Sequence, residues 1–129
     1  MKRTNLTLSL LPENYSICRL GPEADIPPWA LAGDFYSLTR TKEELSLVCS
    51  EKFVPVGVQC EKGWRCILVS GPLNFSLTGI LASLTNSLAE AGVSVFAIST
   101  FETDYLLVKA DNLKRAVLEL EEAGHRMAY

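Results

Sequence analysis

The feature that most constrains the fold is an alternation of strand and helix patterns in the second half of the chain. A β-branched apolar run at residues 64–70 is followed by Gly71-Pro72, a pattern typical of a strand that ends in a turn. Apolar residues at three- and four-residue spacing then predict an amphipathic helix over residues 77–91. Gly92 is placed to take the left-handed backbone conformation that ends such a helix.

The alternation continues to the end of the chain. Residues 93–99 and 105–109 predict two strands, separated by a polar break. A second helix follows, with Asp111 or Asn112 as its N-cap and Gly124 as its stop, and residues 125–129 form a last short strand. The order β-α-β-β-α-β is the ferredoxin-like arrangement of the α+β class, and it predicts both helices on one face of an antiparallel sheet.

The first half has strand patterns but no long helical pattern. Residues 6–11 and 15–20 predict one hairpin, across Pro12-Glu13-Asn14, and residues 35–40 and 44–49 predict a second. The loop at residues 21–34 has room for one helical turn at Trp29-Ala30-Leu31. Because short strands alone cannot cover both faces of a sheet, this half is expected to pack on the second half or on a partner chain. We therefore divide the chain into residues 1–61 and 62–129.

Charge and hydropathy exclude several classes of protein. The 129 residues carry a net charge of −3 and no run of more than two Lys or Arg, which argues against a nucleic-acid interface or a membrane-binding basic patch. No apolar stretch is long enough to span a bilayer, and the N-terminal residues do not have the pattern of a signal peptide. We expect a cytoplasmic protein.

The distribution of Cys and His argues against an enzyme or a metal protein. The four cysteines lack metal-ligand spacing, and Cys18, Cys49 and Cys66 lie in apolar strand patterns typical of buried thiols. The single histidine, His125, follows a helix stop and has no nearby Cys, Ser or Asp partner in sequence. The remaining polar candidates lack a base that could activate a nucleophile. We expect no catalytic residue, no cofactor and no metal.

The loop that precedes the first helix is a candidate anion site. A helix N-terminus offers unpaired N–H groups and the positive end of its dipole, so it suits a carboxylate. Asn74 and Ser76 are candidate caps there, and Gly79 removes a side chain that would block the approach of a ligand. In the simpler alternative, Ser76 only caps the helix and Gly79 only allows the helix to pack closely on the sheet.

Asp104, in the polar break between the predicted strands at residues 93–99 and 105–109, is the other candidate. Its carboxylate could pair with an ammonium group or with the cationic side chain of a ligand. The alternative is a turn aspartate that binds its own backbone, and the residues alone leave both open.

Two stretches resemble a known family. The loop and helix start at residues 71–80, followed by residues 96–105, resemble the ACT domain over about residues 62–125. The likeness is to the tandem-ACT subfamily that includes the cytosolic arginine sensors, in which residues 1–61 resemble a degenerate ACT-like half through residues 37–41 and 44–48. The implied fold is a tandem, ferredoxin-like α+β arrangement with antiparallel sheets.

ACT domains are regulatory modules that bind amino acids between two copies of the domain. The resemblance implies a ligand site formed by Asn74, Phe75, Ser76, Leu77, Thr78, Gly79, Ile80, Ser99, Thr100, Phe101 and Asp104. It also implies an amino-acid ligand, for which the charges of Asp104 and Glu102 favour a basic one, together with a homodimer and a separate regulated protein. The alternative function is a dimerisation or protein-interaction module that responds to no ligand.

Overall fold

The computed structural model describes residues 5–70 and 79–128, which form two compact units. The helical unit comprises the described residues among 1–12 and 65–129, and the strand unit comprises residues 13–64. The strands are β1 (Thr7–Leu10), β2 (Tyr15–Leu20), β3 (Ser37–Arg40), β4 (Leu45–Ser50), β5 (Cys60–Val69), β6 (Phe96–Ser99), β7 (Asp104–Lys109) and β8 (Arg126–Ala128). The α-helices are α1 (Ile80–Glu90) and α2 (Leu113–Glu122), and the short 3₁₀ turns are Pro28–Leu31, Glu51–Phe53 and Ala110–Asn112.

The helical unit has the predicted order of elements. From β5 to β8 the order is β-α-β-β-α-β, which confirms the α+β class. Gly92 and Gly124 follow the two helices with φ angles of 76° and 103°, as expected for the left-handed residue that ends a helix. Asn112 precedes α2 without a side-chain capping bond, so its predicted role as a side-chain cap is wrong. The 3₁₀ turn Ala110–Asn112 leads the chain into α2 instead.

The sheet of the helical unit includes a strand from the start of the chain. Its order is β6-β7-β5-β1-β8, so β1 lies between β5 and β8. Strand β1 is antiparallel to β5, with Leu8 opposite Val69, and parallel to β8, with Leu8 opposite Met127. The prediction of purely antiparallel sheets is therefore wrong for the β1–β8 pair. An extra strand inserted between two antiparallel neighbours must run parallel to one of them.

Insertion of β1 also contradicts the first predicted hairpin. Both of its strands exist, but among the described residues β1 pairs with β5 and β8, whereas β2 pairs with β4 and β5. The turn residues at 12–14 end one strand and begin another without pairing the two. The turn residues correctly predicted the end of β1 and the start of β2. The strands with which β1 and β2 pair are distant in sequence, and the local pattern did not predict them.

One hydrophobic core holds the helical unit together. Helix α1 contributes Ile80, Leu84 and Leu88, α2 contributes Ala116 and Leu120, and the strands supply the opposite side. Because both helices enter the same core and contact each other, the prediction that they share one face of the sheet is confirmed.

The strand unit, which the structure describes completely, contains two short 3₁₀ turns and no α-helix. Within residues 13–64, all of which the structure describes, the strand order is β3-β4-β2-β5. The β3–β4 hairpin matches the second predicted hairpin, and Pro28–Leu31 supplies the predicted helical turn. The hydrophobic core of the strand unit comprises Cys18, Ala30, Leu45 and Leu47.

Strand β5 begins earlier than the sequence predicted because it contains a bulge. The pairing of β2 with β5 shifts between Tyr15 and Ile17, where one extra residue is accommodated on β5. Gly63, with a φ angle of 79°, lies at this bulge, and its N–H donates to Oε1 of Glu51 at 2.7 Å. The sequence around the bulge is polar and contains a glycine, so it resembles a loop. Strand β5 nevertheless pairs with β2 on both sides of the bulge.

Candidate functional site

The candidate site residues that the structure describes lie on two elements of the helical unit. Ser99, Thr100, Phe101 and Asp104 belong to the β6–β7 hairpin, and Gly79 and Ile80 stand at the start of α1. The predicted loop residues Asn74, Phe75, Ser76, Leu77 and Thr78 lie outside the described residues.

The backbone conformation at the start of α1 explains why residue 79 is a glycine. Gly79 has a φ angle of 76°, and its carbonyl accepts the first helical hydrogen bond, from the N–H of Ser83 at 2.8 Å. Among the residues that the structure describes, none has an atom within 4 Å of a Cβ placed on Gly79. Close packing on the sheet is therefore not the reason for this glycine, whereas the left-handed conformation is. Ile80 is buried in the core, so its side chain stabilises the helix start.

The turn of the β6–β7 hairpin is held by the hydroxyl groups of two threonines. The backbone N–H and the hydroxyl of Thr100 both donate to the carbonyl of Thr103, at 2.8 and 2.9 Å. The N–H of Thr103 in turn donates to Oγ1 of Thr100 at 3.2 Å. The hydroxyl of Thr103, which is buried, donates to the carbonyl of Val69 on β5. These bonds fix the hairpin end to the central strand of the sheet.

Asp104 begins β7 directly opposite Ser99, and both belong to this fixed end. Ser99 donates its hydroxyl to Oδ1 of Asp104 at 2.6 Å. The carboxylate therefore bonds to a side chain across the hairpin, which differs from the simple turn aspartate that binds its own backbone. A carboxylate offers about four acceptor positions, so a single hydroxyl bond leaves it able to accept from a cationic group as well.

Phe101 and Glu102 form the tip of the hairpin. The Phe101 side chain is 78% exposed, which is unusual for a large aromatic residue in a chain with a well-formed core. The resemblance assigns Phe101 to the ligand site, and Phe101 lies beside the fixed end of the hairpin that carries Asp104.

The strand unit has a feature that the sequence did not indicate. An open groove of about 580 Å³ is lined by Pro22, Glu23, Ala24, Asp25, Arg40, Thr41 and Lys42. The Arg40 guanidinium donates to the carbonyls of Pro22 at 2.5 Å and Ala24 at 2.7 Å, so it fastens the loop to the β3–β4 hairpin. The loop and the hairpin are distant in sequence, and no pattern of residue types predicted their contact.

Other predictions about function concern buried groups. His125 is buried, and its Nδ1 accepts the N–H of Leu6 at 3.1 Å, which is a structural role. Cys18, Cys49 and Cys66 are buried as predicted, and burial raises the pKa of the Cys66 thiol to about 12. The residues that the structure describes contain no cluster of three or more acidic, His or Cys side chains that could hold a metal ion. Neither described helix has the length and apolar character needed to cross a bilayer.

Comparison with known proteins identifies relatives of both units. A family model for the ACT domain matches residues 59–122, and a second model, for an N-terminal domain, matches residues 13–57. The human "Cytosolic arginine sensor for mTORC1 subunit 1" is 35% identical over 66 residues. That match covers 50% of this chain but 20% of the human protein, so the chain spans a small part of its curated relative.

Solved structures extend the similarity to the whole chain. The crystal structure of a protein from Agrobacterium tumefaciens is 38% identical, covers 98% of this chain and 94% of its own, and superposes with a TM-score of 0.93. The regulatory subunit of aspartate kinase from Thermus flavus shares the fold at 14% identity, with a TM-score of 0.65 and coverage of 93% and 99%. The family model, the arrangement of elements and this full-length similarity agree, and the chain belongs to the ACT domain family.

Proposed function

We propose that this chain is a non-catalytic regulatory module that binds a free amino acid at the β6–β7 hairpin. The observation that carries the proposal is the position of Asp104, a half-buried carboxylate held by Ser99 at the fixed end of the hairpin. Membership of the ACT family and the similarity of half the chain to an arginine sensor support the same conclusion.

Charge favours a ligand with a cationic group near Asp104. Every free amino acid has an α-ammonium, and a basic one adds a second cation that Asp104 or the neighbouring Glu102 would attract. The ligand carboxylate would then be bound by N–H groups at the start of α1, with Asn74 and Ser76 as the proposed side-chain donors.

We further propose that binding acts through assembly. A ligand that contacts two surfaces at once stabilises the state in which those surfaces meet. A site shared between two copies would make the chain a homodimer whose formation or partner choice depends on the amino acid. The regulated protein would be a separate partner, and the proposed compartment is the cytoplasm.

A thermal-shift screen against the twenty amino acids at millimolar concentration tests the proposal. A ligand at about 100 times its Kd adds about 2.7 kcal/mol to the free energy of unfolding, which raises Tm by several degrees. We expect one amino acid, or one chemical class, to raise Tm, and we expect Asp104→Asn to abolish that shift. Glu102→Gln is the comparison variant, because it removes one negative charge from the exposed tip of the same hairpin, and it is expected to weaken the shift less than Asp104→Asn does. If none of the twenty amino acids changed Tm, or if the ligand raised Tm equally in the wild type and in Asp104→Asn, the proposal would be contradicted.

The exposed tip favours a second candidate function, a protein-interaction module that needs no ligand. The phenyl ring of Phe101 is 78% exposed, and aromatic side chains are enriched in protein–protein interfaces. Light scattering separates the two candidates. The interaction module predicts a dimer without amino acid that Phe101→Ser dissociates, whereas the proposed sensor predicts a mass that changes on addition of the ligand.

A further inference from the structure

Three of the four thiols lie on adjacent strands of the strand unit. Cys60 is on β5, Cys18 on β2 and Cys49 on β4, and the strand order places β2 between the other two. The fourth, Cys66, lies in the helical unit and serves as an internal comparison. The chemistry proposed for the amino-acid site uses none of these groups.

Cys18 and Cys60 are direct cross-strand neighbours. They are paired in the antiparallel β2–β5 register, so their side chains point to the same face of the sheet. The N–H of Arg19 donates to the carbonyl of Gln59 at 3.0 Å, which makes the adjacent Cys18–Cys60 pair a non-hydrogen-bonded one. Such pairs have Cα atoms about 4.5 Å apart. That distance lies within the range of roughly 4.4–6.8 Å that disulfides span.

The three thiols are close enough to affect one another's pKa. The neighbouring Cys49 raises the pKa of Cys18, and the neighbouring Cys18 lowers the pKa of Cys49. Desolvation raises the pKa of Cys60, and the ammonium of Lys62 opposes that rise.

Access to the three thiols is unequal. Cys18 is 1% exposed and Cys49 is fully buried, whereas Cys60 is partly exposed. A reagent from solution therefore meets the sulfur of Cys60 first, and Cys18 lies directly behind it. This is the arrangement of an attacking thiol and a resolving thiol.

We propose that Cys60 and Cys18 form a reversible oxidation site that a low-molecular-weight disulfide converts into a cross-strand disulfide. The Cys60 thiolate attacks one sulfur of the reagent, which forms a mixed disulfide and releases one small thiolate. The Cys18 sulfur then attacks the Cys60 sulfur, and the Cys18 proton passes to the second small sulfur as it leaves as a thiol. Two protein sulfurs are oxidised, and one small disulfide is reduced to two small thiols, which take up the two thiol protons.

Incubation of the full chain with oxidised glutathione at mildly alkaline pH tests the site. Peptide mapping without reductant is expected to find a Cys18–Cys60 link and a mass about 2 Da below that of the reduced chain, because two hydrogen atoms leave. A thiol reductant is expected to restore the original mass. The matched control is Cys66→Ser, which should form the same link at the same rate.

Two further variants separate the proposed roles of the thiols. Cys18→Ser should stop at a stable glutathione adduct on Cys60, and Cys60→Ser should give neither an adduct nor a link. A wild-type protein that accumulates the Cys60 adduct, that links Cys49 instead, or that does not react while iodoacetamide labels Cys60 would overturn the proposal. None of these readouts depends on amino-acid binding, so failure here and failure of the proposed function are distinguishable.

Discussion

Replacing Thr103 by valine removes the hydroxyl that joins the candidate site to the sheet. Leu8 and Val69 form a non-hydrogen-bonded pair, because the neighbouring Ser70 donates its N–H to the carbonyl of Thr7 at 2.9 Å. The carbonyl of Val69 therefore points away from β1, to the side of β5 where β7 pairs. There it accepts the hydroxyl of Thr103. Valine has nearly the shape of threonine but cannot donate.

The expected cost follows from the burial of both residues. Val69 is fully buried and Thr103 is 7% exposed, so a carbonyl without its donor has no ready access to bulk water. An unpaired buried polar group costs about 1–3 kcal/mol. Thr103→Val should therefore lower the free energy of unfolding by about 2 kcal/mol. For a protein of this size, that loss corresponds to a fall in Tm of roughly 6–10 °C.

Urea unfolding measures this cost, with Thr103→Ser as the matched control. Serine keeps the hydroxyl and loses one methyl group, which is worth about 0.8 kcal/mol. We expect the valine variant to have the lower urea midpoint, with an unchanged m-value. A valine variant as stable as the wild type, or more stable than the serine variant, would refute the assignment of the Thr103 hydroxyl as the anchor of the hairpin.

Other predictions concern the two units separately. His125→Ala should lower stability by about 1–3 kcal/mol in urea unfolding, because the buried Nδ1 acceptor of the Leu6 N–H is lost; an unchanged midpoint would contradict this role. Gly63→Ala should lower stability by about 1–2 kcal/mol, because its φ angle of 79° is unfavourable for a residue with a Cβ. Since an added Cβ there meets no described atom within 4 Å, a larger loss would indicate a packing effect that the structure does not show. For Cys66, burial raises the pKa from 9.0 to about 12, so the unfolded chain loses the thiol proton first. This contribution to stability is complete below pH 9.0 and is lost as the pH rises towards about 12. Cys66→Ala should flatten that decline in pH-dependent unfolding, and an unchanged slope would contradict the assignment.

The elements that the sequence predicted best are those whose signal is local and periodic. Helix α1, the glycine at 92 and the β6–β7 hairpin could be predicted because apolar spacing and turn residues act over a few positions. The partners of β1 could not be predicted, because the sequence of a short apolar strand does not specify the distant strands with which it pairs. The start of β5 was missed for another reason, since Gly63 and its polar neighbours look like a loop when the bulge is unknown.

The residues of the candidate site could be predicted from the sequence more readily than the hydrogen bonds between them. The sequence identified Asp104 and its neighbours as one polar hairpin. The partner of the Asp104 carboxylate depends on cross-strand register, and it proved to be Ser99. The anchor from Thr103 to Val69 joins residues that are far apart in sequence. Contacts of this kind depend on how the elements pack, and residue types alone do not specify them.

Calorimetric titration of the full chain with each of the twenty amino acids is the decisive test of the proposed ligand site, because it measures binding itself. If the proposed site binds an amino acid, we expect saturable heat for one amino acid or one class, and an affinity at least tenfold weaker in Asp104→Asn than in Glu102→Gln. The absence of binding heat for every amino acid at millimolar concentration, or equal affinities in the two variants, would contradict the proposal.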